Sequence, residues 1–233
     1  MDSGRPPVLR ALSKRLLFGV GSRPYAWLTR QPVWRSHGAA LVDFAGLAPE
    51  RPPRRLADLG CGPGISAFGL AERLPATHLV GVDLSPEMIA LARAYARHEP
   101  PHPAGLDFIV GDGTRLPLKD SSIDVVTGHS FAYLVGDDRR LGQEVARVLV
   151  PGGVCVFLEP SREPFPLRLF KRSAGDARFV LSMVLWRAVA TGAGRFTPER
   201  FRSLFGAAGL ETVAVIPTLD GLGLVGVGKK PER

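Results

Sequence analysis

A short strand that ends in a glycine loop and continues into a helix is the feature that most constrains the fold of this chain. Residues 56–64 are Leu-Ala-Asp-Leu-Gly-Cys-Gly-Pro-Gly, and a helical pattern follows over residues 65–73. Gly60, Gly62 and Gly64 alternate within the loop. Because glycine has no Cβ, such a loop lets a ligand approach the backbone closely. The motif predicts an α/β fold with a nucleoside site at the end of the first strand.

The residues around the loop indicate which nucleoside fits. A second strand, His78–Val82, ends in Asp83, where a carboxylate can accept hydrogen bonds from both hydroxyls of a ribose. The dinucleotide fingerprint needs a third glycine at position 65, which is Ile65, and it places a pyrophosphate at the helix start. Asp58 would repel that anion and would favour a ligand with positive charge. S-adenosylmethionine carries a sulfonium, an ammonium and no phosphate, and we predict it as the cofactor.

The rest of the core alternates short apolar runs with helical patterns, which is typical of a doubly wound α/β sheet with helices on both faces. Ser85, Asp137 and Thr197 are placed to cap three of the helices. The predicted strands are Leu56–Gly60, His78–Asp83, Asp107–Val110, Ile123–Thr127, Val154–Glu159, Thr212–Ile216 and Leu222–Val227. We expect the last two to complete a seven-stranded sheet as a hairpin.

Two regions lie outside the core that begins at residue 56. Residues 1–55 are expected to be helical over 7–18 and 25–47, and an insert at about 161–196 is rich in aromatic residues. Because the insert leaves the carboxyl end of the fifth strand, where ligands bind in α/β folds, both regions are candidates for a lid. Residues 1–55 hold ten Lys and Arg against three Asp and Glu, whereas the rest holds twenty against nineteen. This basic segment fits either a solvated surface or peripheral membrane contact.

Four ordered stretches resemble the class I S-adenosylmethionine-dependent methyltransferases, in particular the ubiquinone and menaquinone C-methyltransferases. They are LADLGCGPG, VGVDLSPEMIALAR, GDGTRLPLKDSSIDVV and RVLVPGGVCVFLEPS. The resemblance implies a Rossmann-like, mostly parallel sheet whose final strand is antiparallel. It also implies a cofactor site in which glycines line the methionine part, Asp83 holds the ribose, Asp112 and Gly113 meet the adenine, and Asp58 lies near the ammonium. The cofactor-binding prediction comprises Tyr25, Asp58, Gly60, Gly62, Gly64, Asp83, Leu84, Asp112, Gly113 and His129.

Two side chains at the carboxyl edge of the sheet are candidates for chemistry. His129 follows the fourth strand and could serve as a general base. The rate of the enzyme would then fall as pH drops through the histidine range, because the imidazole becomes protonated. His129 could equally form a pocket wall or touch the methionine part. Glu159 ends the fifth strand and could bind an amine or a hydroxyl, or pair with a cation. Tyr25 and Trp34 are expected to pack over the cofactor or in the core.

The remaining features narrow the class of protein. The chain has two cysteines and no His/Cys cluster or H-E-x-x-H motif, so no metal site is predicted. No run approaches the ~18 apolar residues that a membrane span needs, and we expect a cytoplasmic protein. No nucleic-acid recognition module is visible. We therefore predict methyl transfer to a small, largely apolar or aromatic molecule. The alternatives are a lipid or quinone methyltransferase at a membrane surface and a non-catalytic S-adenosylmethionine-binding protein.

Overall fold

The computed structural model describes residues 21–47, 51–98, 105–164 and 176–232. Within these ranges the chain forms a seven-stranded sheet in the order β3-β2-β1-β4-β5-β7-β6. The strands are β1 Arg55–Leu59, β2 His78–Asp83, β3 Leu106–Val110, β4 Ile123–His129, β5 Leu149–Pro160, β6 Glu211–Thr218 and β7 Gly223–Lys229. The predicted Rossmann-like α/β fold is confirmed.

Eight α-helices accompany the strands in the described part of the chain. They are α1 Ser22–Thr29, α2 Pro32–Ala39, α3 Leu41–Phe44, α4 Ile65–Arg73, α5 Pro86–Ala96, α6 Asp138–Val148, α7 Ala177–Ala193 and α8 Pro198–Gly206. Two 3-10 turns, Ala132–Leu134 and Leu219–Gly221, follow β4 and β6. None of the described helices combines the length and apolar character that crossing a membrane requires.

The five strands from β1 to β5 are parallel, and β7 runs antiparallel to both β5 and β6. The predicted hairpin and the antiparallel final strand are therefore confirmed. The parallel register brings the carboxyl ends of β1, β2 and β4 to one edge, because Asp58 pairs with Gly81 on one side and with Thr127 on the other. This edge carries the glycine loop.

Both faces of the sheet are buried, as expected for parallel strands. Alternate residues of β1 belong to different hydrophobic clusters, with Leu56 in one and Ala57 and Leu59 in the other. The cluster around Leu56 includes residues of α3, α4 and α5, and the opposite cluster includes residues of α6 and α8. The sheet is thus held between two helical layers.

The predicted helix caps form as local hydrogen bonds. The side chains of Ser85, Asp137 and Thr197 accept from the backbone N–H three residues further along, which satisfies a donor left free at each helix start. These interactions depend only on neighbouring residues, and this explains why a sequence pattern finds them.

Three details differ from the expectations. The N-terminal helical stretch predicted over 25–47 is three helices, and α2 begins anew with Pro32 at its first turn. β5 begins at Leu149, so the predicted Pro-Gly-Gly turn lies within the strand as an irregularity in its pairing with β4. The helix predicted over residues 7–18 lies outside the described residues.

Candidate functional site

The three loop glycines have different roles in the structure. All three have positive φ, at 63° for Gly60, 53° for Gly62 and 88° for Gly64. Residues other than glycine rarely adopt this backbone conformation. A Cβ on Gly60 would lie 2.2 Å from the Cβ of Phe131, and one on Gly64 would lie 3.0 Å from the Phe108 ring. A Cβ on Gly62 would meet no atom within 4 Å. Gly60 and Gly64 therefore allow close packing, whereas Gly62 borders open space.

Asp83 lies at the end of β2 beside the loop. One carboxylate oxygen accepts from the N–H of Gly62 and the other from the N–H of Ser85, each at 2.9 Å. Burial raises the pKa of Asp83, and the two backbone donors oppose this effect. Because a carboxylate has about four acceptor positions, each oxygen keeps capacity for a ligand hydroxyl. Leu84, the next residue, is 69% exposed.

Asp58 lies fully buried beneath the loop. Its oxygens accept from the hydroxyls of Ser66 at 2.5 Å and Thr127 at 2.9 Å. Burial raises the pKa of Asp58 to about 6, although both hydrogen bonds work in the opposite direction. Ser66 lines the pocket described next, whereas Asp58 itself does not.

A pocket opens above the glycine loop, with about 770 Å³ of space between its lining atoms, including its mouth. Four parts of the chain supply its walls, and none of the lining residues carries a formal charge at neutral pH. The walls are Gly60–Pro63, Ile65 and Ser66 from the loop and α4; Tyr25, Leu28, Thr29 and Trp34 from the N-terminal helices; His129, Ser130 and Tyr133 after β4; and Ser182, Leu185, Trp186 and Val189 from α7.

The N-terminal helices and α7 are joined directly at this pocket. The indole Nε1 of Trp34 donates to the Ser182 hydroxyl at 3.0 Å, and that hydroxyl donates to the carbonyl of Phe179 at 2.7 Å. The side-chain amide of Gln31 donates to the carbonyl of Arg178 at 3.4 Å. The two regions outside the core therefore meet over the loop and form one continuous wall.

His129 occupies the position that the sequence predicts, at the carboxyl end of β4. Its ring lies edge-on to Trp34 with centroids 5.8 Å apart. Burial, followed by the nearby His37, lowers the pKa of His129 to about 3. This environment favours a neutral imidazole at physiological pH, and it moves the loss of activity expected for a His129 base below the ordinary histidine range.

Three polar atoms at the pocket lack a hydrogen-bond partner among the described residues. They are His129 Nε2, the Ser130 hydroxyl and Trp186 Nε1, all of them covered from solvent. Ser130 also has a positive φ of 61°, a strained conformation that is often found at functional sites. Buried polar atoms are usually paired, so these three atoms are polar groups of pocket residues that no described residue satisfies.

Glu159 does not line the pocket. Its carboxylate is fully buried and accepts from the N–H groups of Phe131, Ala132 and Tyr133 at 3.2, 2.9 and 3.1 Å. Burial raises the pKa of Glu159 to about 7 against the effect of these donors. The geometry gives Glu159 a structural task, which is to hold the turn after β4, and offers no support for its predicted contact with an acceptor.

The other predicted cofactor residues are divided between the pocket and the neighbouring strand end. Tyr25 lines the pocket, and burial together with Asp83 raises its pKa to about 12. Asp112 and Gly113 lie beyond β3 and outside the pocket walls, and Asp112 accepts from both the N–H and the hydroxyl of Thr114 at 2.8 Å. Their contact with adenine stays a prediction.

Sequence reasoning did not identify Ser182 and Val189 as pocket residues. Both lie in α7, where no motif marks them, and Ser182 meets Trp34 from 148 residues away. Only a knowledge of how α7 packs could have revealed them. Within the described part of the chain, no group of three or more His, Cys, Asp or Glu residues could hold a metal ion.

The chain is similar in sequence to known methyltransferases. A family model described as "Methyltransferase domain" matches residues 57–157. A demethylmenaquinone methyltransferase of Thermus thermophilus is 40% identical over 48% of this chain and 50% of the relative. A trans-aconitate 2-methyltransferase of Streptomyces avermitilis is 37% identical over 59% of this chain and 52% of the relative. The matches thus span about half the length of these two relatives.

A third relative is matched over more of its length. A demethylmenaquinone methyltransferase of Deinococcus radiodurans is 34% identical over 69% of each chain. Among solved structures, a phosphoethanolamine N-methyltransferase 2 of Haemonchus contortus in complex with S-adenosyl-L-methionine superposes with a TM-score of 0.61. It is 17% identical and covers 98% of this chain and 61% of its own, and this likeness supports the fold alone.

Proposed function

The chain belongs to the class I S-adenosylmethionine-dependent methyltransferases, and on this basis we propose that it transfers a methyl group to a small, largely apolar acceptor bearing a hydroxyl or carbonyl oxygen. The observation that carries the proposal is the uncharged, aromatic pocket built directly on the glycine loop, with three unpartnered polar atoms in its wall.

The residues around the loop fit the cofactor. Gly62 borders open space where a side chain would otherwise intrude, and Asp83 keeps acceptor positions for the two ribose hydroxyls. Buried Asp58 would offset the positive charge of the methionine part from below, through the layer formed by Ser66. When bound, S-adenosylmethionine supplies a methyl group that is already activated for displacement.

The contribution of the chain's own residues is alignment and exclusion of water. Trp34 and Trp186 form the outer wall with ring centroids 5.9 Å apart, and the hydrogen bond from Trp34 to Ser182 holds this wall against α7. We assign the described parts of the two regions outside the core, residues 21–47 and 176–196, the role of a cap over it. Glu159 positions the turn that carries Ser130 and Tyr133.

The polar atoms at the wall define the kind of acceptor. The indole N–H of Trp186 can only donate, so its partner is an oxygen or another acceptor atom. The neutral imidazole of His129 and the hydroxyl of Ser130 offer further contacts, and a pKa lowered to about 3 makes His129 a hydrogen-bond partner for an acceptor oxygen rather than a base that takes its proton. A carboxylate acceptor would lose its hydration with no cation among the lining residues, which costs several kcal/mol. The pocket thus favours a neutral aromatic or quinone-like molecule.

Matched acceptors test this proposal. The purified chain would be incubated with S-adenosylmethionine and a hydroxynaphthalene, the methyl ether of that compound, or the same ring bearing an added carboxylate. Release of S-adenosylhomocysteine is the readout. The neutral hydroxyl compound should be used, the ether should be inert, and the carboxylate should reduce kcat/KM by at least about tenfold.

A variant connects the result to the pocket. Trp186→Phe keeps an aromatic side chain but removes the pyrrole part of the indole with its N–H, so it should lower kcat/KM for the acceptor and leave the affinity for S-adenosylhomocysteine unchanged. Preference for the carboxylated compound would contradict the apolar acceptor. A Trp186→Phe variant with wild-type kinetics on a good acceptor would remove Trp186 from acceptor recognition.

A further inference from the structure

The outward face of α7 is apolar where most surface helices are polar. The exposed positions that the structure describes in this helix are Ala177, Leu181, Val184, Leu185, Ala188 and Thr191. They recur at intervals of three and four residues and form one stripe along the helix. A surface helix normally turns charged residues to water on this side, whereas these exposed positions of α7 are all uncharged and only Arg178, at one end of the stripe, carries a charge.

Trp27 extends this stripe across to α1. Its side chain is 61% exposed, and the guanidinium of Arg178 lies 4.6 Å from the centre of its ring. Arg178 lies one helical turn before Leu181 and two turns before Leu185, on the same side of α7. Trp27, Leu181, Val184 and Leu185, all of them more than a third exposed, therefore form one patch, which we call the α7 patch. Contiguous exposed apolar patches mark interaction sites.

The charges around the patch indicate the chemistry of its partner. Neither α1 nor α7 contains an acidic residue. Arg23 is exposed at the start of α1, and Arg178 joins Trp27 to α7. Arg30, at the end of α1, lies over the Tyr95 ring, and the exposed Asp176 caps the start of α7. An apolar stripe with Trp at its edge and arginines beside it is the pattern of an interfacial helix that binds anionic lipid. A second copy of this chain would bring like charges together, because a twofold interface pairs each patch with itself.

The patch is also continuous with the pocket. Leu185 is 37% exposed on the stripe and also lines the pocket beside Trp186. A molecule that dissolves in a bilayer would meet the pocket mouth at the edge of the docked face. This link between the patch and the pocket rests on the proposed function, since only an apolar acceptor would reach the pocket from the bilayer.

We propose that the α7 patch docks this protein on the surface of an anionic membrane. The apolar side chains would enter the headgroup region, and the arginines would face the anionic headgroups. The binding should weaken with salt, because the attraction of exposed charges is screened within roughly 10 Å at ordinary ionic strength.

Co-sedimentation with vesicles tests the proposal without any acceptor or cofactor, so its outcome is separate from that of the turnover assay. The wild-type chain should pellet with vesicles of phosphatidylcholine and phosphatidylglycerol and should pellet far less with phosphatidylcholine alone. The double variant Leu181→Glu, Val184→Glu should bind the anionic vesicles at least about tenfold more weakly. Both side chains are exposed and outside the pocket walls, so affinity for S-adenosylhomocysteine should persist and show that the fold is intact.

Val213→Glu is the matched control, because Val213 is 59% exposed on edge strand β6, outside the patch. This variant should pellet like the wild type. The proposal is overturned if the wild type does not pellet with anionic vesicles, or if the double variant pellets as well as the wild type. It is also overturned if the wild type forms a dimer in solution that the double substitution dissociates, since the patch would then bind a second copy.

Discussion

Replacing Asp58 by Asn should stabilise the protein in a way that depends on pH. Burial raises the pKa of this carboxyl from 3.8 to about 6, so the folded state resists its ionisation. One pKa unit corresponds to about 1.36 kcal/mol, and the shift therefore represents a destabilisation of about 3 kcal/mol once Asp58 is ionised. Asparagine occupies the same volume without charge, and the hydroxyls of Ser66 and Thr127 can turn to donate or accept.

The sign follows from the raised pKa. Below the unfolded-state value near 3.8 the carboxyl is protonated in both states, and its ionisation costs nothing. As pH rises towards the folded-state value of about 6, the wild type progressively loses stability relative to the variant. The difference in free energy of unfolding between Asp58→Asn and the wild type should thus widen over this range and then level off, with about 1 kcal/mol subtracted for weaker hydrogen bonds.

Urea denaturation of the cofactor-free chain across this range measures the difference directly. Ser66→Ala provides a second check, because it removes a hydrogen bond that lowers the pKa of Asp58. The loss of stability with pH should begin near the same pH in that variant, but it should continue to a higher pH before it levels off and should be larger in total. A stability difference between Asp58→Asn and the wild type that stays constant with pH, or that favours the wild type above pH 6, would refute the reasoning.

Three further predictions concern the loop and the edge of the sheet. His129→Gln should lower turnover and leave S-adenosylhomocysteine affinity intact. The wild-type rate should stay level as pH falls from about 8 to about 5, because the imidazole is already neutral. Initial rates that fall near pH 6.5 in the wild type, but not in the variant, would contradict this. Gly60→Ala should destabilise the fold by about 1–3 kcal/mol through its clash with Phe131, whereas Gly62→Ala should mainly weaken cofactor binding. Thermal denaturation measures the first effect and calorimetry the second. If the two variants lost the same stability and the same cofactor affinity, the separate roles of Gly60 and Gly62 would be contradicted. Glu159→Gln should cost about 1–3 kcal/mol of unfolding free energy near pH 4.5 because its amide nitrogen would face a backbone donor. The cost should shrink as pH rises towards the folded-state pKa of about 7, where the buried carboxylate of the wild type ionises. An unchanged denaturation midpoint near pH 4.5 would show that the turn after β4 does not depend on this carboxylate.

The fold and the conformation of the glycine loop could be predicted because their signals are local. The glycine loop, the position of Asp83 and the capping residues Ser85 and Thr197 each depend on a few neighbouring residues. The strands follow from short apolar runs that both faces of a buried parallel sheet require. The four ordered sequence stretches that contain these features are therefore enough to indicate the architecture.

The pocket walls beyond the glycine loop could not be predicted, because they depend on packing between distant segments. Trp34 and Ser182 are brought together by the fold alone. The neutral state of His129 results from burial and from nearby His37, neither of which its own neighbours in sequence reveal. Glu159 has the residue type and position of a reactive group, and only the three backbone donors around it show a structural task.

The central claim, that the glycine-loop site binds S-adenosylmethionine with Asp83 on the ribose, is tested most directly by calorimetry. The wild type should bind S-adenosylhomocysteine and should not bind NAD, and Asp83→Ala should weaken the former by about 1.5–3 kcal/mol, the scale of hydrogen bonds to a charged group. Asp124→Ala is the matched control, because this carboxylate also accepts from a backbone N–H, that of Arg55 at 2.8 Å, at the opposite end of the sheet. Full affinity in the control and reduced affinity in Asp83→Ala would support the account. Unchanged affinity in Asp83→Ala, or binding of NAD in place of S-adenosylhomocysteine, would contradict it.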